Sequence, residues 1–206
     1  MKQKEDISAT SKAKVILQRM RSPVLRTSDI LEQGIHVRTL YQLRDDGFLE
    51  QMSRGVYRLQ DQDTLDNPDW VIVFTRIPQA VICLVSALSF HEITTQIPHE
   101  VSIALMKGAE SPRLKFPPLK VHRFSGPAFL EGIEEYHVNG IPVRVYNPEK
   151  TLADCFKFRN QLGMDIVMEA LKLYKTRKKF SPDKLLKYAR ICRVENVMRP
   201  YLESIL

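Results

Sequence analysis

The chain has 206 residues, 44% of them hydrophobic and 27% charged, which is enough apolar material for one large domain or two small ones. Its formal charge is +7, and residues 1–60, 61–149 and 150–206 carry +4, −4 and +7. This composition argues against a disordered chain, and its two basic ends favour a polyanionic partner, most simply nucleic acid.

Nothing in the sequence indicates a disulfide framework, a secretion signal or a membrane span. Cys83, Cys155 and Cys192 lie far apart without Cys-x-x-Cys spacing, so we expect reduced core thiols in a cytoplasmic protein. The N-terminus "MKQKEDISAT" is polar, and no run approaches the roughly 18 apolar residues that a membrane span needs.

Two helices are predicted at the start of the chain. The first is capped by Thr10 or Ser11 and ends at the Ser-Pro pair of residues 22–23. The second lies in "RTSDILEQG", where Thr27 or Ser28 caps the helix, Ile30 and Leu31 face inward, and the final glycine ends it.

A third helix is predicted from about His36 to Gly47, and its two faces differ. Leu40 and Leu43 lie on one face, where they would pack on the first two helices. The opposite face presents donors suited to base edges and phosphates. The candidate DNA-binding residues of this helix are Arg38, Thr39, Tyr41, Gln42 and Arg44. The alternative is an ordinary amphipathic helix with a solvated polar face.

The stretch "GFLEQMSRGVYRL", residues 47–59, predicts a hairpin that carries cations. Leu49, Tyr57 and Leu59 alternate toward the helices, which leaves Arg58 on the outward face. Arg54 sits at the tip beside the turn glycine, where it could reach phosphate or the minor groove. Three helices followed by such a hairpin have the order of a winged helix-turn-helix.

A second domain is predicted beyond the acidic connector. The predicted limits are residues 1–60 for the winged helix-turn-helix, 61–68 for the connector and 69–206 for a mixed α/β domain that ends in helices, so the expected fold class is α+β. The segments "AVIC", "EVSIALM", "LKVHRFS", "EYHV" and "IPVRVY" have strand composition. From "NPEKTLADCF" onward the pattern is helical, with caps at Asn147 and Ser181 and a proline inside the last helix.

No enzyme or metal site stands out in the second domain, so we predict no catalytic residue, cofactor or metal. His91 and His99 lack the spacing of a metal pair, and no Gly-x-Ser-x-Gly elbow or phosphate-binding glycine loop occurs. Glu149 and Asp154 could form a catalytic pair. A helix-dipole role for Glu149 and a salt bridge from Asp154 to Lys150 or Lys157 explain them more simply.

The densest positive charge of the chain lies in the run "KTRKKF" and continues into the residues that follow it. It is either a solvated helix face or a secondary surface that tracks phosphates. Its residues are Arg177, Lys178, Lys179, Lys184, Lys187 and Arg190.

The residues quoted above, with "SALSFHEITTQIP" and "PEKTLADCFKFR" in that order, resemble the AbiEi family antitoxins of type IV toxin-antitoxin systems. The likeness runs from about Ala13 to about Arg193. It implies a winged helix that binds inverted repeats in double-stranded promoter DNA and represses its own operon, and a C-terminal antitoxin domain. It also implies a nucleotidyltransferase-like toxin whose effect is opposed without the need for a stable complex, and a monomer or weak dimer that assembles on DNA.

By motif position, the resemblance places Arg38, Tyr41 and Gln42 in the groove and makes Arg54 and Arg58 wing contacts. One departure is Gln51, where relatives are expected to carry a basic residue. Three alternatives stay open: a stand-alone winged-helix regulator, an interaction protein that binds a toxin directly, and an enzyme acting on nucleic acid or nucleotides.

Overall fold

The computed structural model of the chain describes residues 2–20, 22–61 and 65–205, with side chains from residue 9 onward. Its helices and two sheets make an α+β fold, as the sequence predicted. The described residues form two compact units. The first unit contains the residues up to Pro78 together with His137–Pro142, and the second contains Gln79–Tyr136 and the residues from Val143 onward.

The first unit combines four helices with a small antiparallel sheet. In chain order its elements are α1 (Lys2–Arg19), β1 (Leu25–Arg26), α2 (Thr27–Glu32), α3 (Val37–Asp45), β2 (Leu49–Ser53), β3 (Val56–Leu59) and α4 (Pro68–Arg76). The strand order is β1-β3-β2, and the β2–β3 register shifts between Gln51 and Ser53.

Local signals account for the bounds of α3. The His36 ring nitrogen accepts a hydrogen bond from the Arg38 backbone N–H at 3.1 Å and so caps the first turn. Gly47, just beyond the last turn, has φ +73°, a conformation that favours glycine. The predicted bounds and the predicted burial of Leu40 and Leu43 are confirmed, since both leucines are fully buried.

The first helix begins earlier than predicted. Thr10 lies inside α1, so the predicted cap at Thr10 or Ser11 is wrong. The residues before it include neither glycine nor proline and are rich in helix-forming Lys, Glu and Gln, so nothing local stops the helix there. Thr10 is instead buried, and its hydroxyl donates to the Gln42 side chain at 3.4 Å.

The second helix also differs in detail. Thr27 is its first helical residue, and Arg26 occupies the cap position, where its backbone N–H donates to the Asp29 carboxylate at 3.3 Å. Ile30 is buried as predicted, but Leu31 is exposed. A helix of six residues presents a narrow stripe to its neighbours, and one of two adjacent apolar residues falls outside it.

Two apolar clusters hold the first unit together. One joins the first three helices to the hairpin and contains Ala13, Leu17, Leu25, Ile30, Ile35, Leu40, Leu43, Leu49 and Tyr57. The other packs Val71 of α4 against Val24 and Val56, with the partly buried Val138 and Ile141 beside them. Contacts within this unit therefore include α4, which lies beyond the predicted connector. Residues 62–64 of that connector lie outside the described residues, and the predicted domain limits stay a prediction.

The second unit contains the larger sheet and most of the helices. Its elements are β4 (Val81–Ile82), α5 (Leu84–Phe90), β5 (Val101–Met106), β6 (Leu119–Phe124), α6 (Pro127–Leu130), β7 (Ile133–Val138), β8 (Ile141–Tyr146), α7 (Pro148–Lys157), α8 (Arg159–Leu162), α9 (Met164–Lys175), α10 (Pro182–Cys192) and α11 (Glu195–Ile205). The turn of the β7–β8 hairpin, His137–Pro142, is grouped with the first unit.

The strand order of this sheet is β6-β5-β4-β8-β7. The β4–β5 pair is antiparallel, whereas β4–β8 and β5–β6 are parallel. The buried helix α7 lies at the centre of the unit's core, with α5, α9, α10 and α11 packed against it. The caps predicted at Asn147 and Ser181 are confirmed, because both side chains accept a hydrogen bond from the third residue of their helix.

Candidate nucleic-acid interface

One face of α3 is open to solvent. An open depression of about 620 Å³ runs along this face. It is lined by His36, Val37, Arg38, Tyr41, Gln42 and Asp45. Three of the five residues predicted to contact DNA from this helix therefore line one surface, opposite the buried leucines.

The individual side chains on α3 differ in how exposed they are. Arg38 and Tyr41 are exposed, and 47% of the Tyr41 surface is accessible. Gln42 is half-buried and accepts a hydrogen bond from Thr10. Thr39 is half-buried and is absent from the lining of the depression.

Arg44 is held by its neighbours on the same helix. Its guanidinium group lies 2.7 Å from the Asp45 carboxylate and stacks on the Tyr41 ring at 5.0 Å. The hydrogen bond to Asp45 raises the pKa of Arg44 above its usual value. The group therefore stays charged, but part of its charge is neutralised.

The two hairpin arginines have different surroundings. Arg54 lies exposed between the strands, next to Gly55, whose φ is +77°. Arg58 on β3 donates to the Glu50 carboxylate at 2.6 Å, and the two residues are direct cross-strand partners. A cross-strand ion pair therefore accounts for Arg58, whereas Arg54 forms no ion pair with any side chain that the structure describes.

Gln51, the departure from the expected basic residue, is exposed on β2. Its amide donates to the Ser53 carbonyl at 3.3 Å, across the point where the register shifts. It contributes a polar side chain, and no positive charge, to the hairpin.

A second cavity, of about 540 Å³, lies between the hairpin, α3 and α4 within the first unit. We call it the arginine pocket. It is lined by Arg26, Thr27, Ser28, Tyr41, Arg44, Gln51, Arg54, Gly55, Tyr57, Thr75 and Arg76. Arg26, Thr75 and Arg76 were not among the residues predicted from the sequence, because no local pattern connects the end of α4 with the hairpin.

Tyr57 forms part of the floor of the arginine pocket. It is buried, and burial raises the pKa of its hydroxyl, with the nearby Tyr41 adding to the shift and Arg44 opposing it. The hydroxyl bonds to Thr27 and stays protonated at neutral pH. It adds no negative charge to the pocket.

The predicted secondary basic surface is largely paired in the second unit. Lys184, Lys187 and Arg190 lie 3.9, 3.3 and 3.0 Å from Glu149, Glu131 and Glu195. Arg177 donates to the backbone carbonyls of His91 and Glu92, both at 2.8 Å. These contacts reduce the charge that the surface offers to phosphate, and its role in binding stays a prediction.

The carboxylates considered for catalysis do not converge. Asp154 is fully buried and lies 2.5 Å from the Lys150 ammonium group, so the predicted salt bridge to Lys150 is confirmed. Glu149 accepts a hydrogen bond from the Tyr174 hydroxyl at 2.8 Å. Each carboxylate therefore has its own structural partner.

The histidines and cysteines considered as reactive groups also have structural surroundings. The His91 Nε2–H donates to the Tyr146 carbonyl at 2.7 Å, while His99 is exposed. All three cysteines are free and buried, and burial raises the pKa of the Cys83 and Cys155 thiols well above its usual value. In the part of the chain that the structure describes, no three His, Cys, Asp or Glu side chains lie together as a metal site would require.

None of the helices described between residues 2 and 205 combines the length and apolar character needed to cross a membrane.

Comparison with known proteins places the resemblance on the first unit. Residues 15–60 match a family model described as "Transcriptional regulator, AbiEi antitoxin". This match confirms the resemblance to the AbiEi antitoxins over the end of α1, α2, α3 and the hairpin, and it supports a transcriptional regulator as the class of protein.

A solved structure extends the likeness in fold. The chain is similar to the crystal structure of the RV2827C protein from Mycobacterium tuberculosis, with a TM-score of 0.53 over 95% of this chain and 81% of that chain. At 14% sequence identity this likeness shows a similar fold. No curated protein sequence matches the chain.

Proposed function

We propose that this chain is a DNA-binding transcriptional repressor whose first unit is a winged helix-turn-helix. Helices α2 and α3 form the helix-turn-helix, α3 enters the major groove, and the β2–β3 hairpin is the wing. The observation that carries this proposal is the open face of α3, with Arg38, Tyr41 and Gln42 on one depression. The family match over residues 15–60 supports it.

The contacts divide into two kinds. Arg38 and Gln42 have the donors that read guanine and adenine edges, and Tyr41 can bond to phosphate. Arg54 projects from the turn of the wing and contacts backbone phosphate or the minor groove. Arg44 and Arg58 contribute less, since Asp45 and Glu50 already pair with them. Thr39 completes the candidate set from α3.

We further propose that the protein is the antitoxin of a type IV toxin-antitoxin system and acts in the cytoplasm. Its winged helix would bind inverted repeats in its own promoter as a monomer or weak dimer, and residues 69–206 would oppose a nucleotidyltransferase-like toxin. Support comes from the description of the family that residues 15–60 match and from the motifs "SALSFHEITTQIP" and "PEKTLADCFKFR" in the second unit.

A mobility-shift titration with the DNA upstream of the gene tests the wing. Arg54→Gln should weaken binding to all duplexes alike and lower the salt-dependence slope by about 1, because one phosphate contact is lost. Arg58→Gln is the matched control, and it should bind nearly as the wild type does because Arg58 is paired with Glu50. Equal binding by wild type and Arg54→Gln would remove the wing assignment.

The same titration tests the helix. Gln42→Ala should change which operator sequence is preferred, because a base contact carries sequence information and a phosphate contact does not. The comparison needs the operator and a scrambled duplex of equal length. A uniform loss on both duplexes would place Gln42 outside the base-reading set.

Coexpression tests the antitoxin role. Cells that produce the protein encoded by the adjacent reading frame should stop growing, and this chain should restore growth. A variant with Arg38 and Arg54 replaced by Gln should still restore growth if the antitoxin activity resides in residues 69–206. Co-purification of the two proteins would favour direct binding over an indirect opposition.

A further inference from the structure

We propose that the arginine pocket is a binding site for a phosphate group. Its four arginines come from four separate parts of the first unit: Arg26 from β1, Arg44 from α3, Arg54 from the hairpin turn and Arg76 from α4. The eleven lining residues include no Asp or Glu. Phosphate is the ligand whose oxygens match several arginine forks at once.

The charge of the pocket is only partly compensated. Arg44 is paired with Asp45, which lies outside the lining. Among the described residues, no carboxylate forms an ion pair with Arg26, Arg54 or Arg76. Its position in the last turn of α4 explains a single cation at Arg76, but it does not explain why three further arginines line the same cavity. Like charges that line one cavity repel each other, so an anion bound among them would stabilise the arrangement.

A buried hydroxyl gives an independent observation. Thr75 lines the pocket with only 4% of its surface exposed. Its Oγ1 has no hydrogen-bond partner within the described part of the chain. Buried hydroxyls are normally bonded, so this donor indicates a ligand acceptor such as a phosphate oxygen.

The backbone of the hairpin turn fits the same purpose. A Cβ atom at Gly55 would lie 3.4 Å from Arg76 Nη1 and 3.4 Å from Thr27 Oγ1. Glycine therefore leaves the turn, the guanidinium group and the hydroxyl close together. The volume of about 540 Å³ is in the range of small-ligand sites and exceeds the need of one phosphate ion.

Two sources can supply the phosphate group. One is the backbone of DNA held by α3 and the wing, since Tyr41, Arg44 and Arg54 belong to both surfaces. The other is a free phosphorylated small molecule, which would link DNA binding to a ligand. Only the first source rests on the proposed function.

Three variants test the pocket. Arg76→Gln removes a guanidinium group, and Thr75→Val removes the unpartnered hydroxyl while keeping a side chain of nearly the same shape. Arg19→Gln is the control. Arg19 is an exposed residue of α1 that does not line the pocket. Its replacement by glutamine therefore removes the same charge as Arg76→Gln without changing the pocket. The three probes are inorganic phosphate, 5′-AMP and a DNA duplex of arbitrary sequence. Binding of the two small anions is measured by calorimetric titration, with sodium chloride at equal ionic strength as the reference.

We expect Arg76→Gln to weaken binding of at least one probe by roughly tenfold or more, because a charge-assisted hydrogen bond is lost. Thr75→Val should weaken the same probe severalfold while the free protein becomes no less stable, since an unsatisfied buried hydroxyl has been removed. These opposite effects distinguish a lost ligand contact from general damage to the fold.

The pattern of loss identifies the source. Weakened binding of phosphate or 5′-AMP supports a small-molecule site, even if the chain fails to bind DNA at all. Weakened duplex binding without binding of the free anions supports a DNA backbone phosphate. If Arg76→Gln and Thr75→Val bind every probe as Arg19→Gln does, the proposal is wrong, whatever the titrations of Arg54→Gln and Gln42→Ala show.

Discussion

Lys150 is a fully buried charge, and it illustrates what single residues contribute to the second unit. Its ammonium group lies 2.5 Å from the Asp154 carboxylate and 4.1 Å from the centre of the Tyr146 ring. The Cys192 thiol donates to the other Asp154 oxygen at 3.2 Å. The i to i+4 spacing on a helix made this pair predictable, but its complete burial was not, because burial depends on the elements that cover α7.

Lys150→Met should destabilise the protein by about 3–5 kcal/mol, because it leaves the Asp154 carboxylate buried without its cation. The double change Lys150→Met with Asp154→Leu should recover much of that loss, since no unpaired charge remains. Denaturant unfolding measures both. Lys157→Met, on the exposed face of the same helix, is the control. Equal stabilities for the single and double variants would contradict the pairing argument.

The buried imidazole of His91 should make the free energy of unfolding depend on pH. Burial lowers the pKa of this imidazole below its usual value of 6.5, and it does the same for His122. In the unfolded chain each group takes up a proton near its usual pKa, while in the folded chain each stays neutral until a lower pH. The unfolded state then binds more protons, so the free energy of unfolding decreases as pH falls below about 6.5.

His91→Gln should reduce this loss of stability, because glutamine retains an N–H donor for the Tyr146 carbonyl and does not titrate. Urea unfolding at about pH 7.5, 6.5 and 5.5 gives the slope. His99→Gln, at an exposed position, is the control for the substitution itself. An unchanged slope in His91→Gln would assign the pH dependence to other groups.

At the scale of elements, caps determine where several helices begin. Asn147 accepts a hydrogen bond from the Lys150 N–H at 2.9 Å, and its amide donates to the Tyr188 hydroxyl at 3.0 Å. Ser181 caps α10 through a longer bond of 3.4 Å that is exposed to solvent. Both caps follow the same sequence pattern of a polar residue before proline, and the Asn147 side chain is in addition bonded to a side chain of another helix.

Asn147→Ala should cost about 2 kcal/mol of stability, toward the upper end for helix caps, because the cap bond and the bond to Tyr188 are both lost in a buried place. Ser181→Ala should cost about 0.5 kcal/mol, because water can replace its exposed bond. Thermal and urea unfolding of the two variants provide a direct comparison. Equal losses would mean that the bond to Tyr188 adds nothing.

The β2–β3 hairpin shows how much the alternation of apolar and polar residues along a strand can predict. The period of two placed Tyr57 in the core and Arg58 outside, and both positions agree with the structure. Alternation alone could not pair Arg58 with Glu50, because that pairing requires the strand register. The two arginines of "SRGVYR" therefore have different surroundings, although the sequence suggested one role for both.

At the scale of the whole molecule, the packing of α4 allows the predicted domain limits to be tested by the stability of N-terminal fragments. Val71 is fully buried beside Val24 and Val56, so α4 packs within the first unit. The predicted boundary at residues 61–68 would leave this helix outside the N-terminal domain.

A fragment of residues 1–78 should therefore unfold at a higher urea concentration than a fragment of residues 1–60. The free energy of unfolding of the longer fragment should be larger by about 1.5–3 kcal/mol, which is the gain from burying one aliphatic side chain of the size of valine. Val71→Ala in the longer fragment should remove part of it. Two fragments of equal stability would support the domain limits predicted from the sequence.

The sequence by itself determined what depends on neighbours three or four residues away: the faces of α3, the caps of α7 and α10, the Lys150–Asp154 spacing and the resemblance that residues 15–60 confirm. The predicted start of α1 was wrong, because the helix-forming residues before Thr10 extend the helix past the expected cap and the Thr10 hydroxyl bonds to Gln42 instead.

Only the tertiary structure brought Arg26 and Arg76 into one pocket and left the Thr75 hydroxyl without a partner there. These residues are about fifty positions apart, and their meeting depends on how α4 packs against the hairpin. Local periodicity carries no information about such contacts, because they are decided by the burial of apolar surface between elements distant in the chain.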